Sequence, residues 1–258
     1  MTDGETRYER DGVIARVTFD RPAARNAMTW QMYQQLGEAC EKIANDKAVR
    51  VVVFRGAGGK AFVAGTDIAQ FRAFTSADDG LAYEAQMEGF LDALEKLPMP
   101  TLAVVEGWAI GGGLAIAACC DFRVATPGAR FGVPIARTLG NCLSMANYAR
   151  IVASVGAANA KRLLVLGETL TAEAAVGSGF VLDVVEPGAL DGRVSELCDR
   201  LASNAPITMR VSKEAIRRLL HASLPHDEDL IRACYGSDDF RNGVQAFVEK
   251  RTPEWTGR

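Results

Sequence analysis

The sequence predicts an α/β fold, with strands and helices alternating around a buried and largely parallel sheet. Three observations carry that reading. The runs 49–54 (VRVVVF) and 101–105 (TLAVV) are apolar except for Arg50 and Thr101 and are too short to be helices, so they read as strands covered on both faces. Each leads through a glycine-containing turn into a helical pattern. Beyond about residue 141, strand signals nearly vanish and amphipathic helical patterns follow one another to the C-terminus.

In chain order, Arg7–Arg10 and Val13–Phe19 flank Asp11-Gly12, a hairpin signal. Thr29 is placed to cap a helix running to about Ala44, with Met32, Leu36, Cys40 and Ile43 on one face. Strand 49–54 follows, then GAGGK and AFVAGTDI. A long helix is predicted over 76–97, stopped by Pro98 and Pro100. Strand 101–105, a glycine turn, helix 112–119 and strand 122–125 complete the alternating part. The tail reads as helices over 141–155, 157–166, 172–178, 190–203, 207–221, 227–235 and 238–250, with a single strand at 181–185. Pro187 and Gly188 mark the expected boundary, giving a core at 1–187 and a helical region at 188–258.

At 258 residues, with 48% hydrophobic and 24% charged residues, the chain suits one large domain. A net charge of −3 gives no reason to expect nucleic acid or an anionic membrane as partner. The opening residues MTDGETRYERDG are polar, and no apolar run approaches a membrane span, so a cytoplasmic protein is expected. The six cysteines show no metal-type or paired spacing and read as buried free thiols. His221 and His226 lie near a helix end without further ligands, so no metal site is expected. No serine sits on a nucleophile elbow. The segment GAGGKA fails both the dinucleotide and phosphate-loop patterns and reads as a surface turn.

Two segments carry chemistry. In VVVFRGAGGKAFVAGTDI a strand leads to Ala64-Gly65-Thr66 and a short helix at Asp67; in VVEGWAIGGGLAIAACCDFRVA a strand leads to Gly112 and an uncharged helix. Small residues let backbone approach a ligand, and helix N-termini leave N–H groups unpaired. Two such loops side by side can aim two amides at one oxygen, forming an oxyanion hole.

With these segments in view, the chain resembles the enoyl-CoA hydratase/isomerase (crotonase) family over nearly its whole length. FDRPAARNAM, AFVAGTDI, GWAIGGGLAIAACCDFRVA, FGVPI and AFVEKRTPEW match family segments in the family's order. The resemblance implies a crotonase-like spiral of ββα turns with a helical C-terminal region, assembled as trimers or dimers of trimers. It implies an acyl-CoA thioester substrate and no cofactor beyond the CoA moiety. The amides of Ala64 and Gly112 would hold the thioester oxygen. Gly65, Thr66 and Asp67 would line the CoA path, with Ala24, Arg25 and Ala27 near the nucleotide end. Phe247 and Lys250 match positions that reach a neighbouring subunit's CoA.

Family hydratases add water with two glutamates, whose positions here fall on Ala115 and Ile135. Neither residue can hold water or carry a proton, so simple hydration is not expected. Glu84 is the candidate replacement base, against the alternative of an exposed helix charge; Tyr83 neighbours it. Arg137, Thr138 and Asn141 follow FGVPI, and Arg137 is a candidate for an acyl carboxylate. Cys142 is a weaker candidate nucleophile, lacking a paired base. An acyl-CoA enzyme working through a thioester enolate, by isomerisation or another CoA-ester reaction, is therefore expected. An acyl-CoA-binding protein with little catalysis is the alternative, and a serine peptidase on a related spiral lacks its triad.

Overall fold

The computed structural model describes residues 4–258. The chain opens with the predicted hairpin, β1 (Glu5–Asp11) and β2 (Ile14–Asp20), paired antiparallel around Gly12. Thr29 then caps α1 (Trp30–Asn45), its hydroxyl accepting the Met32 N–H at 3.3 Å. Three successive segments follow, each made of two strands and a helix. They are β3 (Val51–Gly56), β4 (Ala61–Val63) and α2 (Ala77–Glu95); β5 (Thr101–Val105), β6 (Trp108–Ile110) and α3 (Gly112–Cys119); and β7 (Phe122–Ala125), β8 (Arg130–Gly132) and the short α4 (Ile135–Thr138). The remainder is α5 (Met145–Leu164), β9 (Thr169–Thr171), α6 (Ala172–Gly177), β10 (Asp183–Val184), α7 (Pro187–Ser203), α8 (Pro206–His221), α9 (Glu228–Tyr235) and α10 (Asp238–Glu249).

Each two-strand segment gives its first strand to one sheet and its second to another. The larger sheet has the order β1-β2-β3-β5-β7-β10 and the smaller β4-β6-β8-β9. The chain thus climbs as a spiral of ββα turns. The apolar strand runs have a direct explanation in this arrangement. Val52 and Phe54 of β3, with Ala103 and Val105 of β5, face the main core with Met32, Leu36 and Ile43 of α1. Their neighbours Val51, Val53, Leu102 and Val104 face the other way, onto Leu190, Val194, Leu197 and Cys198 of α7. With both faces covered, neither can be polar.

The smaller sheet is absent from the sequence reading. Each of its strands has three residues, too few for alternation to show. The expected strand at 181–185 shortens to β10. The helices expected over 141–155 and 157–166 form one element, α5, broken where Gly156 takes φ 77° and ψ 155°. That helix starts at Met145 because Ser144 caps it, accepting the Asn147 N–H at 3.3 Å. Residues 139–144 stay in a loop, which becomes a wall of the site.

The C-terminal helices divide their contacts. Whereas α7 covers the larger sheet, α9 and α10 place Ile231, Tyr235, Phe240 and Val244 in a cluster with Phe71 and Leu139. By contrast, α8 buries no residue and exposes Ile207, Val211, Ile216 and Leu219. No helix among the described residues is long and apolar enough to cross a membrane.

A tight crossing lies between α3 and β4. A Cβ on Gly113 would stand 2.0 Å from the Val63 carbonyl oxygen, a backbone atom held in the smaller sheet. Gly113→Ala should therefore destabilise the protein by about 1–3 kcal/mol or more. Gly89→Ala, at an exposed position of α2 where a Cβ meets nothing within 4 Å, should instead gain about 0.5–1 kcal/mol from helix propensity. Urea denaturation of both variants checks the pair, and equal stability of Gly113→Ala and wild type would contradict the crossing.

Candidate active site

The site begins where two parallel neighbours end. β4 and β6 pair in parallel, Val63 opposite Ala109, so the loops that follow them emerge at the same edge. Gly111 takes φ +55° and ψ −118°, a left-handed backbone that favours glycine, as the N-cap of α3. A Cβ there would be 3.8 Å from the Gly65 Cα, which puts the two loops in contact. A Cβ on Gly112 would stand 2.3 Å from the Tyr33 hydroxyl. The three consecutive glycines thus answer three different constraints: a backbone conformation, a hydroxyl, and a crossing strand.

The loop of residues 21–29 is stitched to the first of these loops. Buried Asn26 accepts the Arg21 N–H at 2.9 Å and donates to Ala57 O at 2.9 Å and Ala61 O at 2.8 Å. The Ala64 N–H donates to Arg25 O at 3.1 Å. This corrects the sequence expectation for Ala64: its amide is already spent within the protein. The adjacent register shows which amide is open. Met28 N–H donates to Gly65 O at 2.9 Å, and Asp67 N–H donates to Met28 O at 2.8 Å, so Thr66 is the bridged residue of this pair. In extended chain its own N–H points to the opposite side. Neither the Thr66 nor the Gly112 N–H donates to any group among the described residues. The open amides are Thr66 and Gly112.

Both residues line a cavity of about 160 Å³. Its walls are mostly apolar, with Met87, Leu91, Ile110, Leu143 and Ile151 among them. Ala115 and Ile135, the positions that lack acids, both line it as well. Among the described residues Glu84 is the one carboxyl group on its wall, and it is 3% exposed. The alternative of an exposed helix charge is therefore set aside. Its Oε1 accepts the Tyr235 hydroxyl at 2.6 Å and its Oε2 accepts the Ser144 N–H at 2.9 Å. Burial raises the carboxyl from 4.5 to about 7, against the two hydrogen bonds, and Glu88 and Asp227 push it further in the same direction. Each oxygen keeps a lone pair free to take a proton.

A buried arginine fixes the floor beneath this group. Arg150, 1% exposed, binds Glu88 at 2.6 Å and Glu95 at 2.9 Å and donates to Asn147 Oδ1 at 3.1 Å. Ser144 links the two layers by donating its hydroxyl to Glu88 at 3.2 Å. At the other end of the cavity three hydroxyls stand in a row: Tyr33 lies 2.9 Å from Thr66 Oγ1, and Tyr83 lies 3.5 Å from the same oxygen.

The remaining candidates fall into distinct places. Gly65 and Phe247 line the cavity. Arg137 does not: it is exposed on α4, with its Cβ 3.2 Å from the Cβ position of Gly167. The expectation that it faces the acyl group is corrected, because one turn of helix carries Ile135 and Thr138 inward and Arg137 outward. Asp67 pairs with Arg21 at 2.9 Å and accepts the Ala69 N–H at 3.2 Å, so it holds its loop. Ala24, Arg25 and Ala27 flank the same loop outside the cavity, Arg25 and Lys250 both exposed with left-handed backbone. Cys142 is buried beside Cys234, and that thiol together with burial pushes Cys142 up, away from nucleophile chemistry. His221 pairs with Glu95 at 2.8 Å. Tyr235 and Asn147 escaped the sequence reading. Tyr235 lies 151 positions from Glu84, and no local spacing signals such a pair.

Comparison with known proteins agrees with this architecture. Residues 9–258 match a family model described as enoyl-CoA hydratase/isomerase. The chain is 34% identical over 250 residues to a short-chain-enoyl-CoA hydratase of Clostridium acetobutylicum, covering 95% of both. It superposes with a TM-score of 0.80 on an enoyl-CoA hydratase/carnithine racemase from Magnetospirillum magneticum, 35% identical, covering 98% of this chain and 96% of that one. A methylmalonyl-CoA decarboxylase complexed with 2S-carboxypropyl-CoA gives a TM-score of 0.88 at 25% identity, over the full length of both chains.

The Glu84 environment makes a stability prediction with a definite sign. A carboxyl raised in the folded state binds its proton more tightly there than in the unfolded chain. Its contribution is complete below about pH 4.5 and is lost as pH rises through about 7. Between pH 4.5 and 8, the unfolding free energy of Glu84→Gln should gain roughly 3 kcal/mol relative to wild type. Denaturant titrations at several pH values measure this difference. A gap that does not move with pH would show that Glu84 ionises freely.

Proposed function

The chain belongs to the enoyl-CoA hydratase/isomerase family, and from that premise we propose an acyl-CoA enzyme that works through a thioester enolate. In this reading the thioester oxygen sits between the Thr66 and Gly112 amides, and Glu84 moves the proton. The carboxylate takes a proton from the acyl chain next to the carbonyl. The C–H electron pair passes into the C–C bond, and the carbonyl π pair moves onto oxygen, where the two N–H donors stabilise it. Returning the proton to another carbon completes an isomerisation; other enolate reactions of CoA esters use the same intermediate.

The observation that carries this reading is the buried Glu84 on the wall of the cavity that the two open amides also line. A carboxyl near 7 is poised to accept and return a proton at neutral pH. Simple hydration is disfavoured by the same geometry. A hydratase needs a second group to orient water, and Ala115 and Ile135 leave the facing walls aliphatic.

The deciding measurement is loss of α-protons from butyryl-CoA in deuterated buffer, followed by mass spectrometry. Wild type should exchange them at a rate that rises with pH to a plateau above about 7, and Glu84→Gln should slow exchange by about 10²–10⁴. Turnover of crotonyl-CoA to the hydroxyacyl product should fall below the ordinary range of roughly 1–10³ s⁻¹. Tight binding without exchange would establish an acyl-CoA-binding protein instead, and fast hydration would overturn the assignment of roles.

The same family reading carries assembly as a homotrimer or dimer of trimers, supported by α8. Four large apolar side chains on α8, Ile207, Val211, Ile216 and Leu219, at 58–79% exposure, call for a partner surface. Sedimentation equilibrium should give three or six times 27.7 kDa, and Ile216→Glu with Leu219→Glu should lower that mass. A wild-type monomer would refute the assembly.

A further inference from the structure

The hydroxyls of Tyr33, Thr66 and Tyr83 line the cavity together, and counting their protons shows that one is left over. Two contacts join the row, Tyr33 to Thr66 at 2.9 Å and Thr66 to Tyr83 at 3.5 Å. Three hydroxyl protons serve those two contacts. No other side chain or carbonyl among the described residues accepts from or donates to any of the three. One O–H is therefore unspent, in a cavity otherwise walled by residues such as Leu91, Ile110 and Ala115. A donor left unpaired against apolar groups costs free energy, so an acceptor on a bound ligand would complete the row.

The position of Tyr33 says which end is open. Its oxygen would lie 2.3 Å from a Cβ on Gly112, and Thr66 Oγ1 3.2 Å from the same point. The row therefore ends against the backbone of one open amide, and its middle member carries the other. Tyr83 stands at the far end.

Resting on the amide-pair reading above, we propose that Tyr33 donates a third hydrogen bond to the thioester oxygen, with Thr66 and Tyr83 polarising it from behind. Tyr83 donates to Thr66, Thr66 donates to Tyr33, and Tyr33 donates to the ligand, each bond strengthening the next. The ring is held for this task before any ligand arrives. It stacks on Phe90 with centroids 5.9 Å apart and planes 16° apart, and tilts against Trp30 at 6.4 Å. Preorganised donors of this kind act without reorganising when charge develops on oxygen. Burial pushes the phenol up to about 12, so it stays protonated and can donate throughout the working range. The role differs from that of Glu84: Tyr33 stabilises the oxygen and carries no proton away.

The test reads the carbonyl itself, apart from turnover. Butyryl-CoA carrying ¹³C at the thioester carbonyl is bound to wild type, Tyr33→Phe and Tyr83→Phe, and its stretching band is recorded by infrared difference spectroscopy. Tyr33→Phe keeps the ring and its stacking, so the fold is retained. In wild type the bound band should shift to lower frequency. In Tyr33→Phe the downshift should shrink, with affinity weaker by no more than about tenfold and α-proton exchange slower by about 10²-fold at nearly unchanged KM. Tyr83→Phe should give a smaller change in the same direction. A downshift in Tyr33→Phe equal to that of wild type would overturn the proposal and leave the amide pair standing. Absence of any downshift in wild type would overturn the amide pair, and this third donor with it.

Discussion

Everything at this site depends on one close approach, that of α3 to the end of β4. The Gly113 Cβ position lies 2.0 Å from the Val63 carbonyl, and the Gly111 Cβ position lies 3.8 Å from the Gly65 Cα. At Gly113 only backbone fits. Because no side chain intervenes, two loops that follow neighbouring parallel strands meet backbone to backbone. Their amides can then point at a common region while the strands hold them rigid. A side chain at 113 would push α3 off β4, one at 112 would displace the Tyr33 hydroxyl, and one at 111 would strain a backbone held at φ +55°.

Around that fixed point the protein has an unusual distribution of polar groups. The helix behind the glycines is wholly apolar, and Ala115 and Ile135 on the cavity wall are aliphatic. The carboxyl comes instead from α2, and its environment is assembled from parts distant in the chain. Tyr235 arrives on α9 and the Ser144 amide on the loop before α5, while Arg150 bridges Glu88 and Glu95 just below. Arg150 is committed to those two carboxylates. Glu84 consequently has hydrogen bonds but no cation of its own, which is why burial dominates and holds it near 7. A carboxyl paired with that arginine would be ionised across the working range and a poor proton shuttle.

Much of this was legible in the residues. The hairpin at Asp11-Gly12, the Thr29 cap, helix 112–119 and strand 122–125 are local signals, decided by turn chemistry and by apolar spacing within a few residues. The small-residue loops at 64–66 and 111–113 were visible for the same reason, as short local runs at strand ends. The absence of acids at 115 and 135 could be read directly from the chain. The smaller sheet could not: three-residue strands exist only because neighbours from other turns of the spiral complete their hydrogen bonds.

The sequence alone determined the alternating architecture, the glycine-lined loops and the absence of acids at 115 and 135, because each is a property of residues close together in the chain. Tertiary structure decided three things. The open amide belongs to Thr66, since Arg25 O consumes that of Ala64. Glu84 is buried, since α9 and the 139–144 loop close over it. Arg137 is outside, since α4 turns it away from Ile135 and Thr138. All three are questions of which partner a group meets across long sequence separations. A hydrogen bond is satisfied, or a charge desolvated, by whatever packing brings near it, and that packing exists only once the spiral has closed.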